Sequence, residues 1–246
     1  MTEELFRDDG YLRECEAGVL SVGEHGIVLD RTVFYPLGGG QAGDAGVLAL
    51  AGGRTLAIAD TRKAKDEQGQ PTGGIWHVPA PGQDGLLAQL KPGDRVVARI
   101  DWDRRHRLMR FHTTTHLLCH LVPQLVNGCS ITPDYARLDF NMTEPLDKEQ
   151  LTAGIARLVA AAHPVAIGSI TDEELDANPA LVKSMSVQPP RGTGRIRTIR
   201  VGGAELVDYQ PCGGTHVAST AEIGAVVVTK IEKKSASTRR VVLGMA

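Results

Sequence analysis

The sequence contains little or nothing of several features, and each absence limits the class of protein or the kind of core that the chain can form. Aromatic residues make up only 4% of the 246 positions, so the core must rely on valine, leucine, isoleucine and alanine. No run approaches the roughly 20 consecutive apolar residues of a membrane-spanning helix. The acidic N-terminal segment also lacks the apolar centre of a secretory signal. These absences predict a cytoplasmic protein that does not enter a membrane.

Strong net charge and a disulfide framework are also missing. The formal net charge is −2 at pH 7, which argues against a general nucleic-acid coat protein but leaves room for a local basic patch. The four cysteines, Cys15, Cys119, Cys129 and Cys212, are too widely spaced for a small disulfide-stapled domain. Their role therefore depends on which of them meets a histidine in the fold.

The first part of the chain has the pattern of a small β-barrel. Short apolar or alternating runs, punctuated by Gly, Asp and Pro, predict many short strands over residues 1–100. The predicted strands are 17–22, Gly26–Leu29, 33–35, 47–50, 55–59, 73–78 and Arg95–Ile100. An exposed loop is predicted at 62–72, and a short helix within 82–93.

Residues 101–246 mix helices and strands, so the whole chain is predicted to be α+β. Apolar side chains recur at helical spacing from residue 104 to 125, which predicts an amphipathic helix of about five to six turns. Asp101 and Asp103 are candidate N-caps, and Pro123 bends or ends the helix. Further helices are predicted at 148–161 and, after a capping box, from residue 171. The predicted strands are Val165–Ile170, 195–201, 205–208, 225–231 and 240–243.

Four metal-binding side chains occur in two pairs. His112 and His116 are four residues apart on the predicted helix, so they share one face. Cys212 and His216 flank a Gly-Gly-Thr tripeptide, whose glycines permit a tight turn with positive φ. Thiolate and imidazole are well matched to Zn²⁺. Together the pairs predict one zinc ion bound by all four side chains.

The role of such a zinc ion stays open at this point. Four protein ligands normally form a closed structural site. Hydrolysis would require a weak ligand or an expanded coordination sphere; otherwise the zinc only orients a substrate. Nearby, His120 is predicted either to pack or to contact a ligand from outside the metal site, and Cys119 is predicted to lie in the core. His25, His77 and His163 have no partner pattern and are predicted to lie at the surface.

Segments from nearly the whole chain resemble the editing domain of alanyl-tRNA synthetases and the stretch preceding it. The resembling segments are 101–118, 208–217, the glycine-rich 34–41, 137–140, 222–224 and 239–240. The chain is too short to add the ATP-dependent aminoacylation module, so it resembles the free-standing AlaX editing proteins of medium length. It departs from the usual family pattern at Ala42, where Pro is usual, and at Thr220-Ala221, where Thr-Gly is usual.

The resemblance implies a fold and an activity. An N-terminal barrel over 1–100 with the glycine-rich motif would be followed by a zinc-binding editing domain over 101–246. The expected activity is ATP-independent, zinc-dependent hydrolysis of mischarged Ser-tRNA(Ala), and also of Gly-tRNA(Ala). The acceptor end of tRNA(Ala) is then the expected partner, and one Zn²⁺ per chain is the expected cofactor.

Two residues are candidates for catalysis and substrate discrimination. Loss of a required buried hydrogen bond discriminates by about 10⁴–10⁵, so a site that separates serine from alanine should contact the seryl hydroxyl. Thr115 directly precedes a ligand and is the first candidate for that contact. The alternative that its hydroxyl bonds to a helix carbonyl is equally open. Asn127 falls where some synthetase relatives have Gln, and it keeps the amide.

Expected contacts with tRNA lie at the start of the metal-binding helix and in the glycine-rich motif: Arg104, Arg107, Arg110, Gly38, Gly39, Gly40 and Gln41. For the arginines, phosphate binding competes with an ordinary solvated face. For the glycine-rich motif, a plain hairpin turn or domain docking are the alternatives.

A function from a different class also fits these residues. Four firm ligands and a basic patch would suit a non-catalytic, zinc-stabilised tRNA-binding module. A zinc peptidase is disfavoured, because Thr113 occupies the place of the glutamate in His-Glu-x-x-His.

Overall fold

The computed structural model describes residues 1–192 and 194–246, which form two compact units. The first, here called the barrel unit, comprises Met1–Gly38 and Ala42–His106. The second, here called the α+β unit, comprises Gly39–Gln41 and Arg107–Ala246. The division differs from the one expected near residue 100, since it falls six residues later and assigns part of the glycine-rich motif to the second unit.

A closed antiparallel barrel dominates the barrel unit and confirms the barrel prediction. The elements are β1 (Glu3–Glu4), β2 (Glu14–Gly23), β3 (Gly26–Leu29), β4 (Arg31–Thr32), β5 (Gly46–Ala49), β6 (Thr55–Lys65), β7 (Pro71–Pro79), α1 (Asp84–Leu87) and β8 (Arg95–Ile100). The barrel closes in the order β2-β3-β7-β6-β5-β8, and β1 pairs with β4 in parallel. The long β6–β7 hairpin occupies most of the loop predicted at 62–72.

The barrel interior is built almost entirely from aliphatic side chains, as the scarcity of aromatics led us to expect. Alternation along the strands places one face of each inside. The buried cluster consists of Ala17, Val19, Ile27, Leu29, Val33, Phe34, Leu48, Leu56, Ile58, Leu90, Val96, Ala98 and Ile100. Only one of these is aromatic, so aliphatic side chains fill most of the barrel interior.

His77 lies inside the barrel unit, and the prediction that it is a surface residue was wrong. It is completely buried on β7, with Nε2 2.8 Å from the Thr32 hydroxyl and Nδ1 3.0 Å from the Ile27 carbonyl oxygen. Burial lowers the pKa of His77 to about 4, although hydrogen bonds to backbone groups act in the opposite direction. A neutral ring satisfies both contacts, because Nδ1–H donates to the carbonyl and Nε2 accepts from the hydroxyl.

The α+β unit contains two sheets and the remaining helices. Its elements are α2 (Trp102–Leu121), which begins in the barrel unit, β9 (Val126–Ile131), β10 (Ala136–Asn141), α3 (Lys148–Ala160), β11 (Val165–Ile170), α4 (Asp172–Ala177), β12 (Ile196–Val201), β13 (Asp208–Pro211), β14 (Val226–Ser235) and β15 (Thr238–Met245). One sheet has the order β14-β15-β10-β9 and the other β11-β12-β13. The α+β expectation is thus confirmed.

The long helix has the predicted length but not the predicted amphipathic character. Asp101 accepts a hydrogen bond from the Arg104 backbone N–H, and the helix ends at Leu121, before Pro123. From residue 111 to residue 119 every side chain is buried. This middle segment is surrounded on all sides and carries no polar stripe, so His112, His116 and the three threonines between them lie in the interior, whereas His120 is exposed.

A buried ion pair explains why the first turn of α2 belongs to the barrel unit. Arg105 and Asp44 are both fully buried, and Arg105 Nε donates to the two carboxylate oxygens at 3.0 and 3.1 Å. The guanidinium also donates to the carbonyl oxygens of Gly10 at 2.8 Å and Val33 at 2.6 Å. These contacts tie residue 105 to loops of the barrel unit.

Strands β9 and β10 were missed by the sequence analysis. Val126 and Ile131 enclose the polar, glycine-containing run Asn127 to Ser130, whose side chains are half-buried. Such a run has neither helical nor alternating periodicity, so its extended form depends on pairing with β10 and on a bulge there.

Among the described residues, no helix is both long and apolar enough to cross a membrane.

Candidate metal centre

The first pair of predicted ligands lies on the buried half of α2. His112 and His116 are one turn apart, with ring centroids separated by 5.5 Å. Both side chains are almost fully buried. Helical geometry therefore holds two imidazoles side by side away from water.

The second pair lies on the turn after β13, which β12 holds in place. The Cys212 backbone N–H donates to the Arg197 carbonyl oxygen at 3.1 Å. The Arg197 guanidinium in turn donates to the carbonyl oxygens of Cys212 at 2.7 Å and Gly214 at 3.0 Å. The guanidinium and the carbonyl oxygen of Arg197 thus fix the turn that carries Cys212 and His216.

The glycines of this turn provide space rather than an unusual backbone conformation. Positive φ, which the sequence analysis expected, occurs at neither Gly213 nor Gly214 among the described residues. A Cβ atom at Gly214 would lie 2.2 Å from His112 Cε1 and 2.8 Å from Gln41 Oε1. Glycine is required there because the turn passes directly against an imidazole.

The two pairs converge on one point. One possible ligand atom from each of His112, His116, Cys212 and His216 lies within 4.8 Å of all the others. Cys212 Sγ is 3.4 Å from His112 Nε2 and 3.3 Å from His216 Nε2. The described residues therefore bring together the four side chains named from the sequence.

Each histidine has a different polar partner at its other ring nitrogen, Nδ1. His112 Nδ1 is 2.7 Å from Gln41 Oε1, and His116 Nδ1 is 2.7 Å from Asp208 Oδ2. His216 Nδ1 is 3.1 Å from the Thr113 hydroxyl. Partners at Nδ1 orient the rings and leave Nε2 for a metal, an arrangement usual for zinc-bound histidines.

The negative charge of Asp208, which contacts His116 Nδ1, is balanced by Lys183. Asp208 is buried, pairs with Lys183, and accepts a hydrogen bond from Gln210 Nε2 at 2.9 Å. Although burial favours the neutral acid, the contacts with His116 and Lys183 lower the pKa of Asp208 to about 2. The carboxylate therefore stays charged at neutral pH.

The pKa values of the ligands reflect their crowding. Burial opposes the charge on His116, yet hydrogen bonds to Asp208 and Cys212 outweigh it and raise the pKa of that ring to about 9. Burial also raises the pKa of the Cys212 thiol, but the surrounding histidines, His112 first, bring it well below its usual value. Burial and the neighbouring His112 lower the pKa of His216. Proximity to the imidazoles thus favours a thiolate in the cluster.

This donor set fits zinc. Zn²⁺ in proteins is bound by cysteine sulfur, histidine nitrogen and carboxylate oxygen, and structural sites almost always have four such ligands. Cys212 as a thiolate and three imidazoles with Nε2 turned inward provide those donors. No carboxylate belongs to the cluster among the described residues, so it differs from the oxygen-rich sites of calcium and magnesium.

The structure places the other predicted site residues as follows. The Thr115 hydroxyl donates to the His112 carbonyl oxygen at 2.7 Å, one of the alternatives weighed for it. Asn127 Nδ2 donates to the Thr238 hydroxyl at 3.3 Å. Their catalytic roles stay predictions.

The predicted tRNA contacts differ in exposure. Arg107 is exposed, whereas Arg110 is half-buried and donates to the Ile223 carbonyl oxygen at 2.6 Å. Arg104, in the barrel unit, donates to the Gly43 carbonyl oxygen at 3.0 Å. Gln41 is fully buried beside His112. The glycines preceding it are less buried: Gly39 is exposed, and Gly38 and Gly40 are half-buried.

Three residues around the cluster were not singled out from the sequence for the roles they have. Asp208 could have been noticed, since it lies four residues before Cys212 and carboxylates often support metal-bound histidines. Lys183 and Gln41 had no such signal, because each reaches the centre from a distant segment.

A closed barrel joined to an α+β unit with a buried His₃Cys cluster defines a two-unit protein with a candidate zinc centre. Residues 196–242 match the family model described as Threonyl and Alanyl tRNA synthetase second additional domain. Residues 6–104 match the model described as tRNA synthetases class II (A).

The chain belongs to the AlaX-M family of alanyl-tRNA editing proteins, which confirms the resemblance noted from the sequence. It is 32% identical to the alanyl-tRNA editing protein AlaX-M of Saccharolobus solfataricus over 98% of each chain. It is 34% identical to that of Methanosarcina barkeri, covering 98% of this chain and 97% of the relative. The alanine–tRNA ligase of Ignicoccus hospitalis is 33% identical over 94% of this chain but only 24% of the ligase.

Proposed function

We propose that this protein hydrolyses the ester that links a wrongly attached serine, and also glycine, to tRNA(Ala). The observation that carries the proposal is the convergence of His112, His116, Cys212 and His216 in a member of the AlaX-M family. We further propose that the four residues hold one zinc ion. When bound, zinc polarises an ester carbonyl or lowers the pKa of water to about 7.

The side chains of the protein have defined tasks in this proposal. The buried cluster excludes bulk water, and Gln41, Asp208 and Thr113 fix the orientation of the three rings. An ester is more labile than an amide, so positioning and electrostatic stabilisation suffice; one well-placed group contributes about 3 kcal/mol.

Recognition of serine is assigned to Thr115. Its hydroxyl donates to the His112 carbonyl oxygen, which leaves the lone pairs of Oγ1 to accept a hydrogen bond from a seryl hydroxyl. Thr115 is about 5% exposed, so such a contact would be largely shielded from water. Alanine would not make this hydrogen bond. Glycine also lacks the hydroxyl, so recognition by Thr115 explains the preference for serine but not the hydrolysis of the glycyl ester. Asn127 is assigned a supporting catalytic role through its amide.

Binding of the tRNA acceptor end is assigned to Arg104, Arg107 and Arg110, together with Gly38, Gly39 and Gly40. Arg107 is exposed, and the other two arginines use only part of their guanidinium donors on backbone carbonyls. The remaining donors can reach phosphate. We place this activity in the cytoplasm, where tRNA is charged.

One observation favours a second function. All four ligands are provided by the protein, and the three histidines are buried, as in closed structural zinc sites. On this alternative the protein is a non-catalytic, zinc-stabilised tRNA-binding module.

A deacylation assay separates the two functions. Zinc-loaded protein is incubated with Ser-, Gly- and Ala-tRNA(Ala), and the remaining ester is measured over time. We expect fast loss of the seryl ester, loss of the glycyl ester and little loss of the alanyl ester. The variant Cys212→Ala should lower the seryl rate by more than about 100-fold, since losing a ligand should exceed the loss of an outer partner.

Cys15→Ala is the matched control, because Cys15 is a free thiol of the barrel unit that is not part of the cluster. Its seryl rate should equal that of the parent. Equal rates for seryl and alanyl esters would contradict proofreading. Zinc binding and tRNA binding without any turnover would establish the non-catalytic alternative.

A further inference from the structure

Gln41 connects the two segments that carry the candidate metal ligands. Its Oε1 is 2.7 Å from His112 Nδ1, in the first pair, and accepts from the Thr215 backbone N–H at 3.2 Å, beside the second. Its Nε2 donates to the Thr215 hydroxyl at 2.9 Å. The side chain is completely buried, so these contacts do not compete with water.

The side chain of Gln41 is positioned by the preceding residue, Gly40, whose backbone lies close to strand β9. Gly40 has φ +86°, and a Cβ there would lie 2.9 Å from the Cys129 carbonyl oxygen on β9. The Ile131 backbone N–H donates to the Gly40 carbonyl oxygen at 2.7 Å, and Gln41 forms a parallel bridge with Ile131. Only glycine combines that φ with that contact.

Hydrogen-bond direction then determines the state of the His112 ring. The Thr215 backbone N–H can only donate, so the oxygen of the Gln41 amide must face it. The same oxygen faces His112 Nδ1, and that nitrogen must therefore carry the proton. His112 Nε2 is left with its lone pair, 3.4 Å from Cys212 Sγ. If the Gln41 amide were flipped, its NH₂ group would face the Thr215 backbone N–H, and neither group could accept a hydrogen bond.

We propose that Gln41 is a positioning residue of the metal centre: it fixes the tautomer and orientation of His112 and aligns it with the turn that carries Cys212. The inference rests on the zinc site of the proposed function but not on the substrate. It also assigns Gln41 to the metal centre rather than to tRNA. The glycine-rich motif thus supplies the α+β unit with a component of its metal site.

The test measures metal binding directly. Gln41→Met keeps the length of the side chain and removes its acceptor, so affinity for Zn²⁺ in competition with a chromogenic chelator should fall about 10- to 100-fold. Gln41→Glu keeps an oxygen acceptor for both N–H groups, and the Thr215 hydroxyl can donate to it; affinity should return to near the parent value. In the Co²⁺-substituted Met variant, the visible absorption bands should shift as the coordination geometry changes.

Gln83→Met is the matched control. Gln83 is a glutamine of the barrel unit whose amide bonds to backbone groups of Ala57 and Ala80. Its replacement should lower the melting temperature while leaving Zn²⁺ affinity and the Co²⁺ spectrum unchanged. Parent-like affinity and spectrum in Gln41→Met would overturn the proposal.

A measurement on the unmodified chain covers the case in which Gln41→Met does not fold. Nitrogen–proton correlation spectra of ¹⁵N-histidine-labelled, metal-free protein report which ring nitrogen of His112 carries the proton. The proposal expects a proton on Nδ1, whether or not Nε2 also carries one, and a ring protonated at Nε2 but not at Nδ1 would refute it. Because neither readout uses tRNA, failure of the deacylation assay leaves this result standing, and the reverse also holds.

Discussion

The two units bury polar side chains in different ways. In the barrel unit, both ring nitrogens of His77 are occupied by Thr32 and Ile27. In the α+β unit, His112 and His116 each have an outer partner at Nδ1 and turn Nε2 toward other potential ligands. Burial of a histidine therefore does not mark a functional site. A functional site is indicated by a histidine ring that has a hydrogen-bond partner at one nitrogen and faces other potential metal ligands with its second nitrogen.

The same contrast applies to charge. Arg105 and Asp44 form a self-contained pair in the barrel unit, completed by backbone carbonyls. Asp208 in the α+β unit is balanced by Lys183 but also contacts His116, so its charge affects a candidate ligand. We infer that substitutions in the first unit change stability, whereas substitutions around the cluster change metal affinity.

The largest expected effect is on the stability of the barrel unit. Arg105→Met leaves the Asp44 carboxylate buried without its partner and should lower the free energy of unfolding by about 3–5 kcal/mol. Denaturant unfolding measures the change. Arg99→Met, which removes an exposed ion pair with Glu14, should cost no more than about 1 kcal/mol. A fall in the Zn²⁺ affinity of folded Arg105→Met would break the contrast between the units.

A smaller effect is expected from the pH dependence of His77. The folded pKa of about 4 lies below the usual 6.5, so the unfolded chain binds the extra proton first as pH falls. The stabilisation is present above pH 6.5 and is lost between about pH 6.5 and 4. It should amount to about 3 kcal/mol.

Unfolding free energies measured across that range, for the parent and for His77→Gln, test this prediction. The variant should lose less stability than the parent as pH falls, although it starts lower. His25→Gln, which alters an exposed histidine of the same unit, is the matched control. Parallel pH profiles for the parent and His77→Gln would contradict a neutral buried ring.

The smallest expected effect in free energy concerns the outer contact of His116. Asp208→Asn keeps an oxygen near Nδ1 but removes the charge, and Zn²⁺ affinity should fall about 10- to 100-fold. Competition with a chelator measures it. Asp139→Asn, which disrupts an ion pair with Arg240 outside the cluster, should leave the affinity unchanged. Equal losses in the two variants would mean that a general change of charge, rather than the contact, was responsible.

Local patterns predicted what local geometry controls. The barrel strands and the length of α2 followed from periodicity, because side-chain direction repeats every two residues in a strand and every 3.6 in a helix. The strands β9 and β10 and the buried middle of α2 did not follow from it. Polar residues such as Asn127 and Thr113 are extended or buried there because of what packs against them.

By itself, the sequence determined the four candidate ligands: spacing on a helix pairs His112 with His116, and a glycine turn pairs Cys212 with His216. The tertiary structure decided what holds them. The contacts of Gln41, Asp208 and Thr113 with the histidines span 71, 92 and 103 residues of chain. Such contacts depend on strand register and packing throughout a unit, which no short window of residues encodes.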